Sequence, residues 1–294
     1  MPDRRDVVLR NRLKLPMVAF VLALVALCTA VSGGTAEASE SACEAPGPFN
    51  LEIGPSALRS VESRQGGSCT IDVSISRTQA LAGTLMYQAV DGQLVPLPEG
   101  STATPSGARC SVQVHPRLGE NGSLSVDVMN TGDCSGFVFE ARISLSGASA
   151  PMAGDGGATA SATGSRRIQG ELEAKDVIGV VMVEQRMNMG WSYSGSAVSQ
   201  GSKRRLNPNY NAFWYWVGPA ITSGPNLISQ SHYQAYYYDR HKSDGFPISL
   251  LPDTYFAGTI TLDGYGNGSG HCTFSWQWTN QYTGTHASHA CWWI

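Results

Sequence analysis

The sequence predicts an all-β fold, two antiparallel sandwich-like β domains joined by a linker of small residues. Three observations lead there. Short segments alternate apolar and polar side chains, the period of a strand with one face buried and the other wet. Glycine is abundant (33 residues) and charge sparse at 15%, against about a quarter in an ordinary globular chain; that balance suits short strands and tight turns. Between residues 147 and 165 large side chains nearly vanish. Such a run buries too little surface to offset its ordering entropy and reads as a flexible linker.

The first element is not part of the fold. Arg4, Arg5, Arg10, Arg12 and Lys14 lead into an apolar run over residues 17–27, followed by small residues up to Ala38. Charge, then grease, then small residues is the order of a secretory signal peptide, assigned here to residues 1–38. The run is shorter than the about 20 apolar residues that a membrane anchor needs, so no stable membrane insertion is expected after cleavage. Leu27 stands before Cys28 where a lipid-attachment signal would place a small residue. Arg4-Arg5 leaves a twin-arginine export route open. The expected location is extracellular.

Removing the leader's five basic and three acidic residues takes the formal charge from −3 to about −5. An acidic chain gains little from counterion release, so nucleic acid is not an expected partner. Six of the seven cysteines remain. An even set in an oxidising compartment implies three disulfides. Sequence adjacency favours Cys43 with Cys69, Cys110 with Cys134, and Cys272 with Cys291.

Residues 39–146 form the expected N-terminal domain, acidic and without tryptophan. Alternation at 69–75, 110–114, 123–128 and 137–143 predicts strands, with turns at Gly92, at 119–122 and at Gly132-Asp133. Residues 166–294 form the expected C-terminal domain, nearly neutral, with all seven tryptophans and ten of the 11 tyrosines. There, 177–183 reads as a buried strand and 191–195 alternates toward a turn. The run 272–278 alternates cleanly, and 280–284 is a turn signal before the chain returns. Placing Cys272 opposite Cys291 predicts a terminal hairpin, with Phe274 facing His289 and Trp276 facing Ala287.

No phosphate loop, dinucleotide fingerprint, calcium loop or nucleophile elbow occurs, and no cofactor is expected. His286 and His289 are an odd number of residues apart, so a strand sends them to opposite faces and no metal site is expected. Two Asn-Gly-Ser tripeptides, at Asn121 and Asn267, read as hairpin turns. Lys203-Arg204-Arg205 reads as a solvated loop.

Two function classes remain. Phe213-Trp214-Tyr215-Trp216 and Tyr236-Tyr237-Tyr238 place large rings side by side, and alternation turns some of them outward. Exposed rings are platforms for stacking on sugar rings. The leading expectation is a secreted, non-catalytic protein that binds polysaccharide or another cell-surface polymer through Trp214, Trp216, Tyr236 and Tyr238. The alternative is a secreted hydrolase or toxin, nuclease- or phosphodiesterase-like, centred on Asp239, Arg240 and His241. A histidine beside a carboxylate can act as a general base, and an arginine can hold a phosphate.

Overall fold

The computed structural model describes residues 43–77, 87–90, 93–96, 104, 107–119, 122–146, 163–211, 213–217, 220–243, 254–279 and 284–294. The described residues contain strands and turns but no helix. Before the small-residue stretch come β1 (Phe49–Ile53), β2 (Arg59–Gly66), β3 (Cys69–Ser76), β4 (Tyr87–Val90), β5 (Gln93–Pro96), β6 (Cys110–Leu118), β7 (Leu124–Asn130) and β8 (Val138–Leu145). After it come β9 (Thr163–Lys175), β10 (Val181–Ser194), β11 (Ala197–Tyr210), β12 (Tyr215–Trp216), β13 (Ile221–Ser229), β14 (His232–Ser243), β15 (Thr254–Tyr265), β16 (Gly270–Thr279) and β17 (His286–Trp293).

The expected all-β architecture is present, with antiparallel pairing throughout. One sheet runs β1-β6-β7-β17-β9-β10-β11, and the other runs β12-β14-β15-β16-β8-β3-β2. A separate hairpin joins β4 to β5. The strand β13 pairs with β14 along the same edge as β12, leaving the opposite edge of β14 to β15.

The two halves do not build separate domains. In one sheet β17 lies between β7 and β9; in the other β16 pairs with β8. Ser39 to Ile294 forms one compact unit around a shared core. Composition marks a stretch too poor in large side chains to pack, but it does not say which strands pair across that stretch. Residues 147–162 of the expected linker lie outside the described residues, while Thr163, Gly164 and Ser165 already belong to β9. Of the predicted turns, Gly92, Glu120-Asn121 and residues 280–283 also fall outside.

Local alternation translates directly into burial. In β7 the pattern is strictly buried and half-buried in turn, and in β16 Cys272, Phe274, Trp276 and Trp278 all face the core. The aromatic cluster there includes a parallel stack of Phe139 on Trp276 with ring centres 5.3 Å apart, and Trp214 edge-on to Trp278 at 6.0 Å. The sheets approach closely where side chains are absent. A Cβ on Gly264 would meet the Trp191 ring at 2.5 Å, and one on Gly258 would meet Leu172 at 2.7 Å. Of the run 177–183, expected to be a buried strand, 181–183 open β10 with Met182 and Val183 buried, but 177–180 do not join it. Asp176 accepts from the amides of Ile178 and Val180, which makes a turn, and leaves Ile178 81% exposed.

All three expected disulfides are formed: Cys43–Cys69, Cys110–Cys134 and Cys272–Cys291. The third corrects the terminal hairpin. Its cysteines sit in different sheets, β16 and β17, with Cα atoms 5.9 Å apart. The bridge therefore spans the core rather than a strand pair. Phe274 and His289 do meet, at 5.2 Å between ring centres, but across the sandwich. Trp276 meets His289 too, at 4.1 Å, rather than facing Ala287 across a hairpin. Replacing both Cys272 and Cys291 by alanine should cost about 3 kcal/mol, from the chain entropy released over a loop of this length. Urea unfolding of the double variant against the parent tests this, and an unchanged midpoint would refute it.

Candidate functional site

The Asp239-Arg240-His241 string lies on β14, so alternation divides it. Tyr237, Asp239 and His241 point inward, and all three are fully buried. Tyr237 Oη donates to Asp239 Oδ2 at 2.7 Å, and the Arg240 amide donates to Asp239 Oδ1 at 2.9 Å. From β11, Arg205 reaches Asp239 at 3.8 Å and lies 4.9 Å over the Tyr237 ring. Gln185 of β10 donates to the Asp239 carbonyl at 3.4 Å. Burial and the adjacent carboxylate hold the Tyr237 phenol well above its ordinary range. Burial pushes His241 down to about 4, so its imidazole is neutral.

Arg240 takes the other side of the strand, where its Nε donates to the Val217 carbonyl. The expected triad therefore does not converge. Asp239 and His241 share a face but are sealed from solvent, and the guanidinium that joins them is Arg205, not Arg240. This also corrects the reading of Lys203-Arg204-Arg205 as a loop, since all three lie in β11. Arg205 and Tyr237 were beyond sequence reasoning because nothing local ties β11 to β14.

The expected aromatic platform is rearranged as well. Trp214 is 6% exposed and Tyr238 1%, so neither offers a face to a ligand. Tyr236 is half-buried and packs with Tyr238 and Ala257. Trp216 is 45% exposed, as expected of a ligand-stacking ring, and is joined by Phe213 at 45% and Tyr215 at 39%. The local reason is a turn rather than a continuous strand. Asn211 accepts from the Phe213 amide through its side chain at 3.1 Å, and from the Trp214 amide through its carbonyl at 3.1 Å. That turn drops Trp214 into the core and lifts Phe213 out of it.

Two residues then pair with β14, Tyr215 with Lys242 and Trp216 with His241. The Lys242 ammonium lies 6.0 Å from the Tyr215 ring centre and 5.6 Å from that of Tyr255. Further along the same edge, Ile221 is 38% exposed. The result is a sheet edge bearing three exposed rings and a cation.

Histidines occupy other places. His286 and His289 point to opposite faces of β17, and no group of three metal-ligating side chains gathers among the described residues. A pair not foreseen from the sequence joins His232 to the buried Asp263 at 2.7 Å, with Gln234 donating to the same oxygen at 3.0 Å. His232 stacks on Tyr265 at 4.7 Å, and Tyr265 reaches His271 at 3.5 Å. The β14–β15 and β15–β16 registers bring these residues together, so spacing alone carried no signal for them.

No protein-family model matches the chain, and no curated protein or solved structure is found similar to it.

Proposed function

We propose that the chain is a secreted, non-catalytic binding protein that holds a polysaccharide through the edge formed by Phe213, Tyr215 and Trp216. The observation that carries this reading is the exposure of three rings beside Lys242, Phe213 in the turn before β12 and Tyr215 and Trp216 within it. Flat apolar faces with polar rims stack on the C–H faces of sugar rings. An adjacent rigid sheet sets their spacing without an ordering cost at binding. The basic, apolar, small-residue leader and the three disulfides support export to an oxidising compartment. The hydrolase alternative needs a general base open to a substrate, whereas Asp239 and His241 are both fully buried.

The test is binding of the mature protein to a panel of neutral and wall-derived polysaccharides, read by affinity electrophoresis and tryptophan fluorescence. Trp216→Ala should weaken the bound member about tenfold, near the 1.4 kcal/mol of one stacked ring, with unfolding unchanged. Absence of binding across the panel, with unaltered fluorescence, would sink the proposal.

A further inference from the structure

Three hairpin turns meet at one end of the sandwich and line a pocket of about 340 Å³, toward the small end of ligand sites. The β10–β11 turn supplies Ser196 and the β13–β14 turn Ser231. The β15–β16 turn supplies Asn267 and Ser269, with Tyr265 and His271 at its two bases. This is the end away from the ring-bearing edge. Tyr215 and Trp216 pair with Lys242 and His241, whereas the pocket lies past His232, roughly 30 Å back along β14 at the rise of a strand.

The turns are fixed to one another by their backbones. The Gly266 amide donates to the Ser231 carbonyl at 2.9 Å, and the Val198 amide donates to the Gln230 carbonyl at 2.9 Å. A Cβ on Gly266 would meet the Ser196 carbonyl carbon at 2.5 Å, so glycine is what lets the β15–β16 turn lie against the β10–β11 turn.

The rings are fixed by the sheet. Register pairs His232 with Tyr265, and Asp263 with both Gln234 and His271. Asp263 and Tyr265 are two residues apart on β15, so all five side chains stand on one face, opposite to the core residues Leu262 and Cys272. His232 Nε2 lies 2.7 Å from the buried Asp263 carboxylate, and the imidazole stacks on Tyr265 with only 12° between the rings. The His271 ring centre is 4.9 Å from that of Tyr265, tilted by 54°. Tyr265 is thereby oriented before any ligand arrives, which removes an ordering cost at binding.

Among the described residues that line the pocket none is Lys, Arg, Asp or Glu. Burial, reinforced by the Arg142 guanidinium, holds His271 below its ordinary range, so this imidazole is neutral at pH 7. Asn267 Oδ1 accepts from the Ser269 amide at 3.0 Å and the Ser269 hydroxyl at 2.6 Å. Two donors on one atom identify it as the oxygen, which leaves the Asn267 amide hydrogens for another acceptor. Hydroxyls that both donate and accept, beside a donor amide, match the hydroxyls of an uncharged polyol. A charged ligand would find no counter-ion here, and an apolar one would strand the polar groups.

We infer that this pocket holds one neutral sugar unit, its hydroxyls on Ser196, Ser231, Asn267, Tyr265 and His271, with His232 as the residue that positions the Tyr265 ring. The choice of a sugar among neutral polyols rests on the function proposed above; the neutrality and the place rest on the pocket alone.

Saturation-transfer NMR of the mature protein with the methyl glycosides of glucose, galactose and mannose, and with glucuronate and glycerol as charged and acyclic controls, tests it. At least one neutral glycoside should bind more tightly than either control, and its affinity should hold as salt rises. Ser196→Trp, at an exposed turn position, should fill the pocket and abolish that binding with the thermal midpoint unchanged. His271→Phe should keep a ring there and weaken binding about fivefold, near the loss of one hydrogen bond. His232→Ala should weaken it too, and His232→Phe, which restores the stack on Tyr265, should recover it. Trp216→Ala should leave glycoside binding unchanged, so loss of polysaccharide binding in that variant reports on the edge and not on this pocket. No binding by any of the glycosides, equal binding of glucuronate or glycerol, or indifference to Ser196→Trp would each overturn the inference.

Discussion

Between pH 7 and pH 5 the folded protein should lose about 3 kcal/mol of stability, chiefly through two histidines held neutral in the core. His289 is completely enclosed by Phe274, Trp276 and the strands around them, and burial pushes its pKa down to about 3. Its Nδ1–H donates to the Val126 carbonyl at 3.0 Å, while Nε2 has no hydrogen-bond partner among the described residues. His241 is lowered to about 4 by the same cause. In the unfolded chain both would take up a proton near 6.5. From there down to the folded values the unfolded state binds more protons, so stability falls as pH falls, by about 1.4 kcal/mol per unit for each ring. Glu140 and Glu171, raised by burial, have the opposite sign and offset part of this loss. Urea midpoints at pH 7, 6 and 5 measure the slope. His289→Leu should roughly halve it, and a flat profile in the parent would show that both rings titrate normally.

His289 also marks how far the sequence could be read. Alternation placed Phe274, Trp276 and Trp278 on one face of β16 and put His286 and His289 on opposite faces of β17, because side-chain direction is a local property with a period of two. Which strand lies beside which is not local. The cysteines at 272 and 291 invited a hairpin, since a cross-strand pair and a sheet-to-sheet pair present a disulfide with similar Cα distances. The sandwich uses the second geometry, and that choice is made by β7 and β9, which flank β17 from more than a hundred residues away. The same non-local pairing merged two compositionally distinct halves into one core.

The candidate sites follow the same division. The aromatic run at 213–216 correctly promised exposed rings, but a turn at Asn211 rather than strand alternation decided which ones. Trp214 went inward and Phe213 outward. The Asp239-Arg240-His241 string was legible as three directions that cannot all agree; its inward sense was not, since that depends on β10 and β11 closing over β14.

Asp239→Ala should cost about 3 kcal/mol and leave ligand binding intact. The carboxylate is wholly buried, and its removal strands several donors at once. The Tyr237 hydroxyl loses its 2.7 Å acceptor, the Arg240 amide loses its 2.9 Å acceptor, and Arg205 loses its counter-ion. Orphaning buried partners costs about 1–3 kcal/mol for a neutral group and more beside a charge. Arg205 softens the effect, because its side chain is 35% exposed and can turn to water. Asp239→Asn keeps an acceptor for Tyr237 and gives up only the ion pair, so its cost should be roughly half as large. Urea unfolding of both variants, with polysaccharide binding measured where each is fully folded, separates two roles for this cluster. A structural clamp between β14 and β11 loses stability and keeps binding. A hydrolase centred here would do the reverse, keeping its unfolding midpoint while losing turnover, and that result would reopen the catalytic alternative.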